Sequence, residues 1–126
     1  MRVLHHWPLD PGSRQVRLAL AEKQLSFELE PVRFWEAPDD FLSLNPAGLP
    51  PVLVEDAAAS RLAIPETRAI LEYLEETTPD PALLPGGPAE RAEARRLAQW
   101  FDRKFDAEVN AFLLHEKLEK RIQSLG

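Results

Sequence analysis

Apolar and polar positions along this chain change their period several times, and each change marks an element. Arg2 to His6 carries Val3 and Leu4 at its centre and is stopped by Pro8, as expected of a short strand. Asp10-Pro11-Gly12-Ser13 then reads as a helix start. Asp is a good N-cap, and proline suits the first helical position, where its missing N–H would have had no partner. Val16, Leu18, Ala19 and Leu20 give this helix its apolar side, and Lys23-Gln24 lies near its end. The next strand is predicted from about Ser26 to Arg33, with Phe27, Leu29 and Val32 directed to one side. A connection follows with a short turn of helix at Asp39 to Leu44. Pro51 to Glu55 and Arg61 to Ile64 read as two short strands joined by Asp56 to Ser60, which fits a hairpin. From Pro65 to about Thr77 the spacing returns to three and four residues, with Ile70, Leu71 and Leu74 on the core side of a helix. Pro79, Pro81, Pro85, Gly86, Gly87 and Pro88 exclude helix and central strand. Beyond Ala89 nothing breaks a helix until Gly126. Leu97, Phe101, Phe105, Val109 and Leu113 recur every four residues, and Trp100, Phe112, Leu114, Leu118 and Ile122 widen the stripe. A continuous helix there would be roughly 50 Å long.

Strand, helix, strand at this spacing suggests a βαβ unit with a parallel pair. The order βαβ, then ββα, is that of a thioredoxin-like α/β fold. The expected division is therefore a thioredoxin-like domain over residues 1–78, a linker over 79–88, and over 89–126 the first helix or helices of an incomplete all-α domain. A helix with so much apolar surface must bury it against something. The expectation is a truncated helical domain, or a bundle completed by another chain.

The densest signal is the turn that leads into the hairpin. Asn45-Pro46-Ala47-Gly48-Leu49-Pro50-Pro51-Val52-Leu53 runs from a proline–glycine turn straight into an apolar strand. A proline at the start of a strand is tolerated, and an X–Pro bond there holds the cis form at a cost of only about 0.5 to 1 kcal/mol. Then comes Glu66-Thr67-Arg68-Ala69-Ile70-Leu71-Glu72-Tyr73-Leu74, an acidic residue and a hydroxyl opening a helix. This ordered series resembles the glutathione S-transferase family, closely over residues 1 to about 78 and more loosely beyond.

The resemblance implies that the first domain binds glutathione as a substrate. Glu66 and Thr67 match the pair that holds the γ-glutamyl end, the carboxylate meeting an ammonium and the helix N-terminus receiving a carboxylate. Pro51 matches the family's cis-proline. The residue before it pairs through backbone N–H and C=O with the cysteinyl portion; here it is Pro50, which has no N–H, so one bond worth about 0.5 to 1.5 kcal/mol is missing. The catalytic serine of the family falls on Asp10, and a second serine of the pattern on Ser13. A carboxylate beside the sulfur would disfavour the thiolate, which leaves Ser13 as the candidate donor. Arg14, on the same helix start, is a candidate anion stabiliser. Family members commonly hold the glycyl carboxylate with a basic residue before the proline turn, yet from Phe34 to Ser60 there is no Lys, Arg or His. Arg33 is the nearest one before that stretch.

Composition narrows the picture further. With 126 residues the chain holds one ordinary domain, or one small domain and part of another. Hydrophobic residues at 44% and charged ones at 29% are in the globular range rather than the disordered one. The absence of cysteine excludes disulfides, thiolate metal sites and a Cys-x-x-Cys redox pair. The net charge of −6 is concentrated in residues 1–88, where seven Lys/Arg face 14 Asp/Glu, so no basic face for nucleic acid or anionic lipid stands out. No segment has the length of a signal peptide's apolar run or of a membrane span, which makes a cytoplasmic location the expectation. His5 and His6 are adjacent on a strand, hence on opposite faces, and have no spaced third ligand, so no metal is expected. His115 reads as a polar-face residue of the long helix. Trp7, Trp35 and Trp100 are candidates for core or interface packing, or for lining a hydrophobic substrate cleft. Asp39-Asp40 and Glu75-Glu76 read as solvated surface.

Two functions follow from the resemblance. The leading one is a glutathione transferase that adds the glutathione thiolate to a small hydrophobic electrophile and works as a homodimer through Arg68 and the outer face of the second full helix. The alternative, for which Asp10, Pro50 and the missing basic residue speak, is a non-catalytic binding or interaction protein on the same fold.

Overall fold

The computed structural model describes residues 1–110 and Glu116. Among these the elements are β1 (Arg2–His6), α1 (Pro11–Glu22), β2 (Glu28–Pro31), α2 (Asp39–Leu44), β3 (Val52–Ala57), β4 (Ser60–Pro65), α3 (Thr67–Thr77) and α4 (Pro88–Phe105), with a 3-10 turn at Phe34–Glu36. The chain divides into two compact units, Met1–Leu83 and Leu84–Gly126.

In the first unit the strands form one sheet in the order β2-β1-β3-β4. β1 and β2 are parallel, joined by α1 as the βαβ spacing predicts, while β1–β3 and β3–β4 are antiparallel. Side chains alternate across the sheet, and each face has its own cover. Leu4 and Leu53 point to Val16, Ala19 and Leu20 of α1 and Ile70 and Leu74 of α3, forming the main core. On the other face Val32, Val52 and Val54 lie under Phe41 of the short α2. The thioredoxin-like α/β architecture is therefore present in the first unit, followed by a helix in the second.

Several local expectations shift. The second strand is shorter than Ser26 to Arg33, and all four of its residues are exposed because β2 is an edge of the sheet. Phe27 packs against the main core and Val32 is buried on the opposite face, while Leu29 is exposed. These three side chains do not share a side. Leu18, counted with the apolar face of α1, is also exposed. The hairpin extends to Ala57 and Ser60, leaving only Ala58-Ala59 as its turn. Pro65 belongs to β4, paired with Val52, so α3 begins at Thr67.

Glu75, expected at the solvated surface, is buried. Its carboxylate lies 2.7 Å from Lys23 Nζ, with side-chain exposures of 7% and 0%. Lys23 also donates to the carbonyls of Thr78 (2.6 Å) and Pro81 (2.8 Å), and the Leu83 N–H donates to Glu75 (2.8 Å). This cluster ties the end of α1 to the end of α3 and to the proline-rich segment that follows.

In the second unit, Pro88 opens α4 and the Gly87 N–H donates to the Glu90 carboxylate. Exposed ion pairs, Glu93–Arg96 and Lys104–Glu108, decorate the helix. Leu97, Trp100, Phe101 and Phe105 are exposed, Trp100 packing edge-on against Phe101. The expected uninterrupted α-helix changes at Asp106–Asn110 to a π-helical turn. Phe112, Leu113, Leu114, His115, Leu118 and Ile122 lie outside the described residues.

Candidate functional site

Three chain segments meet at one end of the sheet. The first is the start of α1. Asp10 caps it: its Oδ2 accepts from the Ser13 N–H at 2.8 Å and from the Ser13 hydroxyl at 2.7 Å. The hydroxyl oxygen in turn accepts from the Trp7 N–H at 3.3 Å, and Ser13 is fully buried. The cap that the Asp-Pro-Gly-Ser pattern predicts is therefore made, and it uses the Ser13 proton.

The second segment is the proline turn. Asn45 organises it through both side-chain ends: Nδ2 donates to the Leu49 carbonyl at 2.9 Å, and Oδ1 accepts from the Ala47 N–H at 3.2 Å. Gly48 takes a positive φ of 71°, a conformation at little cost only for glycine. The Pro50–Pro51 bond is cis. Pro51 then accepts from the Glu66 N–H at 3.3 Å, which binds the third segment, the start of α3, to the turn.

Glu66 itself has φ 81° and ψ 129° and makes no side-chain cap. A non-glycine residue in such a region costs on the order of 1–3 kcal/mol and persists where its surroundings force it. Here the constraint is Pro51 on one side and the first turn of α3 on the other. The carboxylate is exposed and makes no cap hydrogen bond to the start of α3. Gly12 marks where the three segments touch. A Cβ there would lie 2.3 Å from Thr67 Oγ1, 3.4 Å from Asp10 Oδ2 and 3.5 Å from Pro51 Cδ. The structure thus brings together Asp10, Pro51 and Thr67, with Pro50 and Glu66 adjoining in sequence. Ser13 belongs to the same helix start but is turned inward.

Gly12 is a site residue that pattern reasoning passed over as part of a helix start. Its signal was weak, because a glycine after an N-cap and a proline has an adequate local explanation. Arg33 does not stand free for a ligand carboxylate: it pairs with Glu36 at 3.2 Å and lies 5.6 Å from the centre of the Trp35 ring. Trp7 and Trp35 pack edge-to-face at 4.8 Å, and the Trp7 indole nitrogen is buried without a hydrogen-bond partner. Trp100 belongs to the second unit.

The two adjacent histidines do face opposite sides of the sheet. His6 is buried, and its Nδ1 lies 2.9 Å from an Arg17 guanidinium nitrogen. Because arginine only donates, Nδ1 accepts and the ring proton sits on Nε2. Burial, together with the Arg17 charge, holds the His6 pKa below its usual value. Burial likewise lowers that of His5, whose ring packs on Phe41. Among the described residues no group of His, Cys, Asp and Glu is arranged to hold a metal, and no helix is long and apolar enough to cross a membrane.

The site offers the N–H groups at the start of α3 as donors and, as acceptors, the exposed Glu66 carboxylate for an ammonium and the backbone carbonyl of Pro50, a set that suits a small peptide carrying both charges. Comparison with known proteins places the domain in a family. The family described as glutathione S-transferase, N-terminal domain, matches residues 11–77. FtsZ-localized protein A of Caulobacter vibrioides is 66% identical over 125 residues, covering 99% of this chain and 55% of that protein. A glutathione S-transferase structure from Rhodospirillum rubrum superposes with a TM-score of 0.88 at 52% identity, covering 97% of this chain and 54% of the other. A maleylacetoacetate isomerase structure from Anaeromyxobacter dehalogenans, with dicarboxyethyl glutathione bound in its active site, gives 0.72 at 32% identity, over 95% and 56%. The chain spans about half the length of the relatives it matches. The family's model covers more than half of the chain, and this chain belongs to the glutathione S-transferase family.

Proposed function

We propose that this chain is a glutathione S-transferase-fold protein that acts by binding a protein partner and does not conjugate glutathione. The observation that carries this reading is the state of Ser13: its side chain is fully buried and its hydroxyl proton is given to Asp10. Activation of glutathione requires a donor aimed at the sulfur, so that the thiolate is favoured over the thiol. The partner that takes up this proton at the start of α1 is the half-buried Asp10 carboxylate, and a negative charge there acts against a thiolate. Pro50 removes one backbone donor as well. The name of the relative at 66% identity, FtsZ-localized protein A, makes FtsZ the first partner to test.

Glutathione retains a route to the site through Glu66, Thr67 and the N-terminus of α3, and we assign it weak binding there without turnover. Calorimetry with glutathione should give millimolar affinity that weakens about tenfold in Glu66→Ala, since a charge-assisted contact is worth roughly 1.5 kcal/mol or more. A standard aromatic electrophile should give no conjugation above the uncatalysed rate. Enzymatic conjugation that disappears in Asp10→Ala would sink the non-catalytic reading. Co-sedimentation with FtsZ filaments tests the partner separately.

A further inference from the structure

The second face of the sheet is only partly covered. Phe41 of α2 closes over Val32, Val52 and Val54, and beside it a cavity of about 560 Å³ stays open along β1 and β3. That volume is within the roughly 300–1,000 Å³ of small-ligand sites. None of Asp10, Ser13, Pro50, Pro51, Glu66 and Thr67 lines it, so it is separate from the site described above.

The strand register lays out the floor in rows. Glu30, His5 and Val52 form one row, Val3 and Val54 stand in the next two residues along, and Asp56 and Arg61 in the last, two residues further. Two residues of strand span about 7 Å, so the first and last rows are about 14 Å apart along the strands. Charge is divided between these ends. In the last row Asp56 and Arg61 are cross-strand partners of opposite sign, and the Met1 ammonium donates to the Asp56 carbonyl at 2.9 Å. At the Glu30 end Arg33 and Glu36 pair with each other at 3.2 Å. Glu30 and Asp40 remain there as two exposed carboxylates that no ion pair engages among the described residues, one Asp40 oxygen accepting from the Phe41 N–H at 2.9 Å. The His5 ring stands beside both: Glu30 is its register partner, and Phe41, next to Asp40, packs on it. Burial lowers the His5 pKa and keeps the imidazole neutral; of the charges acting on the ring Glu30 is the strongest, Arg61 opposes it and Asp40 adds to it. The field over the middle of the floor is therefore negative, and His5, held neutral, does not offset it.

We propose that this cavity binds a small primary amine with an apolar body, its ammonium between Glu30 and Asp40 and its body on Val3, Val54 and Phe41. The span fits. An arylalkylamine the length of phenylethylamine reaches from the Glu30 row to the Val3–Val54 row and ends short of Asp56 and Arg61, whose opposite charges balance each other beyond it. A carboxylate beside the ammonium, as in an amino acid, would meet Glu30 and Asp40 and be repelled. An uncharged ligand of the same shape would cover the floor equally well but leave both carboxylates desolvated without a partner.

The test is an NMR titration of the isotope-labelled chain with phenylethylamine and with its neutral analogue phenylethyl alcohol, at about pH 7.5 where the amine and the carboxylates are charged. It is followed at the His5 ring and at the Val3 and Val54 amides. Saturable shifts confined to these positions are expected for the amine, with Gly12 and Thr67 unmoved. The alcohol should bind about tenfold more weakly, the loss of one charge-assisted contact. Glu30→Gln with Asp40→Asn should weaken the amine to the level of the alcohol. Arg61→Gln removes the charge that opposes those two carboxylates, so it should tighten the amine and leave the alcohol unchanged. The proposal is overturned by the absence of saturable shifts up to about 10 mM amine, by equal affinity for amine and alcohol, or by shifts centred on Gly12 and Thr67. Weaker binding of the amine by Arg61→Gln overturns it as well. The comparison of amine with alcohol on the natural chain keeps the test valid should a variant fold poorly.

Discussion

Individual side chains in this protein are committed to specific partners, and those commitments set both stability and chemistry. Ser13 shows it for the site: a hydroxyl that a sequence pattern offers as a donor is consumed by the cap of its own helix. His6 shows it for pH. Its pKa in the folded chain is held below the usual 6.5, first by burial and then by Arg17. The folded state therefore resists the proton that the unfolded chain accepts, so the contribution to stability is complete above pH 6.5 and is lost as pH falls through the folded value. His5 acts in the same direction. The urea midpoint should drop between about pH 7.5 and 5.5, a window in which exposed carboxylates stay ionised, and the drop should be smaller in His6→Gln. Equal midpoints at the two pH values would contradict this.

The helices and strands are held to one another by a few contacts at their ends. α1 and α3 share the main core, but their far ends are joined by Lys23, fully enclosed among Glu75 and the carbonyls of Thr78 and Pro81. Taking the cation away leaves two carbonyls without that donor and removes the positive charge beside a buried carboxylate. Breaking such a pair from one side costs about 3–5 kcal/mol, whereas replacing both partners with apolar residues of similar volume is far milder. Lys23→Met should accordingly lose about 3 kcal/mol in urea unfolding, and Lys23→Met with Glu75→Leu should recover part of it. A Lys23→Met variant as stable as the natural chain would show that the cluster is dispensable. At the opposite end, Gly12, Pro51 and Thr67 leave no room for a side chain at the join. The end of the domain at Gly12 is thus shaped by close backbone approach, and the far end by charge.

The molecule as a whole consists of two units with different degrees of closure. Met1–Leu83 contains the entire sheet, both clusters of buried residues and the Lys23 network. The described part of Leu84–Gly126 presents Leu97, Trp100, Phe101 and Phe105 to solvent. A chain ended at Leu83 should therefore fold by itself, with a mixed α/β circular dichroism spectrum and one cooperative urea transition. Loss of that transition would mean that the first unit depends on the second for its stability. The acidic balance of the first unit also fits the functional reading, since it excludes a broad electrostatic attraction to nucleic acid and leaves binding to specific contacts.

Much of this was legible from residue order alone. Local rules place β1, α1, α2, the hairpin and α3, because capping, proline geometry and apolar spacing act within a few residues. The Asn45–Leu53 turn and Glu66-Thr67 are equally local, and they carried the family. Distant contacts were out of reach. The expectation of Glu75 at the surface failed because its partner Lys23 lies 52 positions away, and local spacing gives no sign that an acid will be enclosed. Phe27, Leu29 and Val32 were assigned one side because the pattern does not reveal where a short edge strand stops. The inward turn of Ser13, the contact of Gly12 with Thr67, and the cavity between Glu30 and Arg61 all depend on how separate elements pack. Helix and strand formation obey short-range sterics and periodicity, whereas burial and charge pairing are properties of the assembled fold.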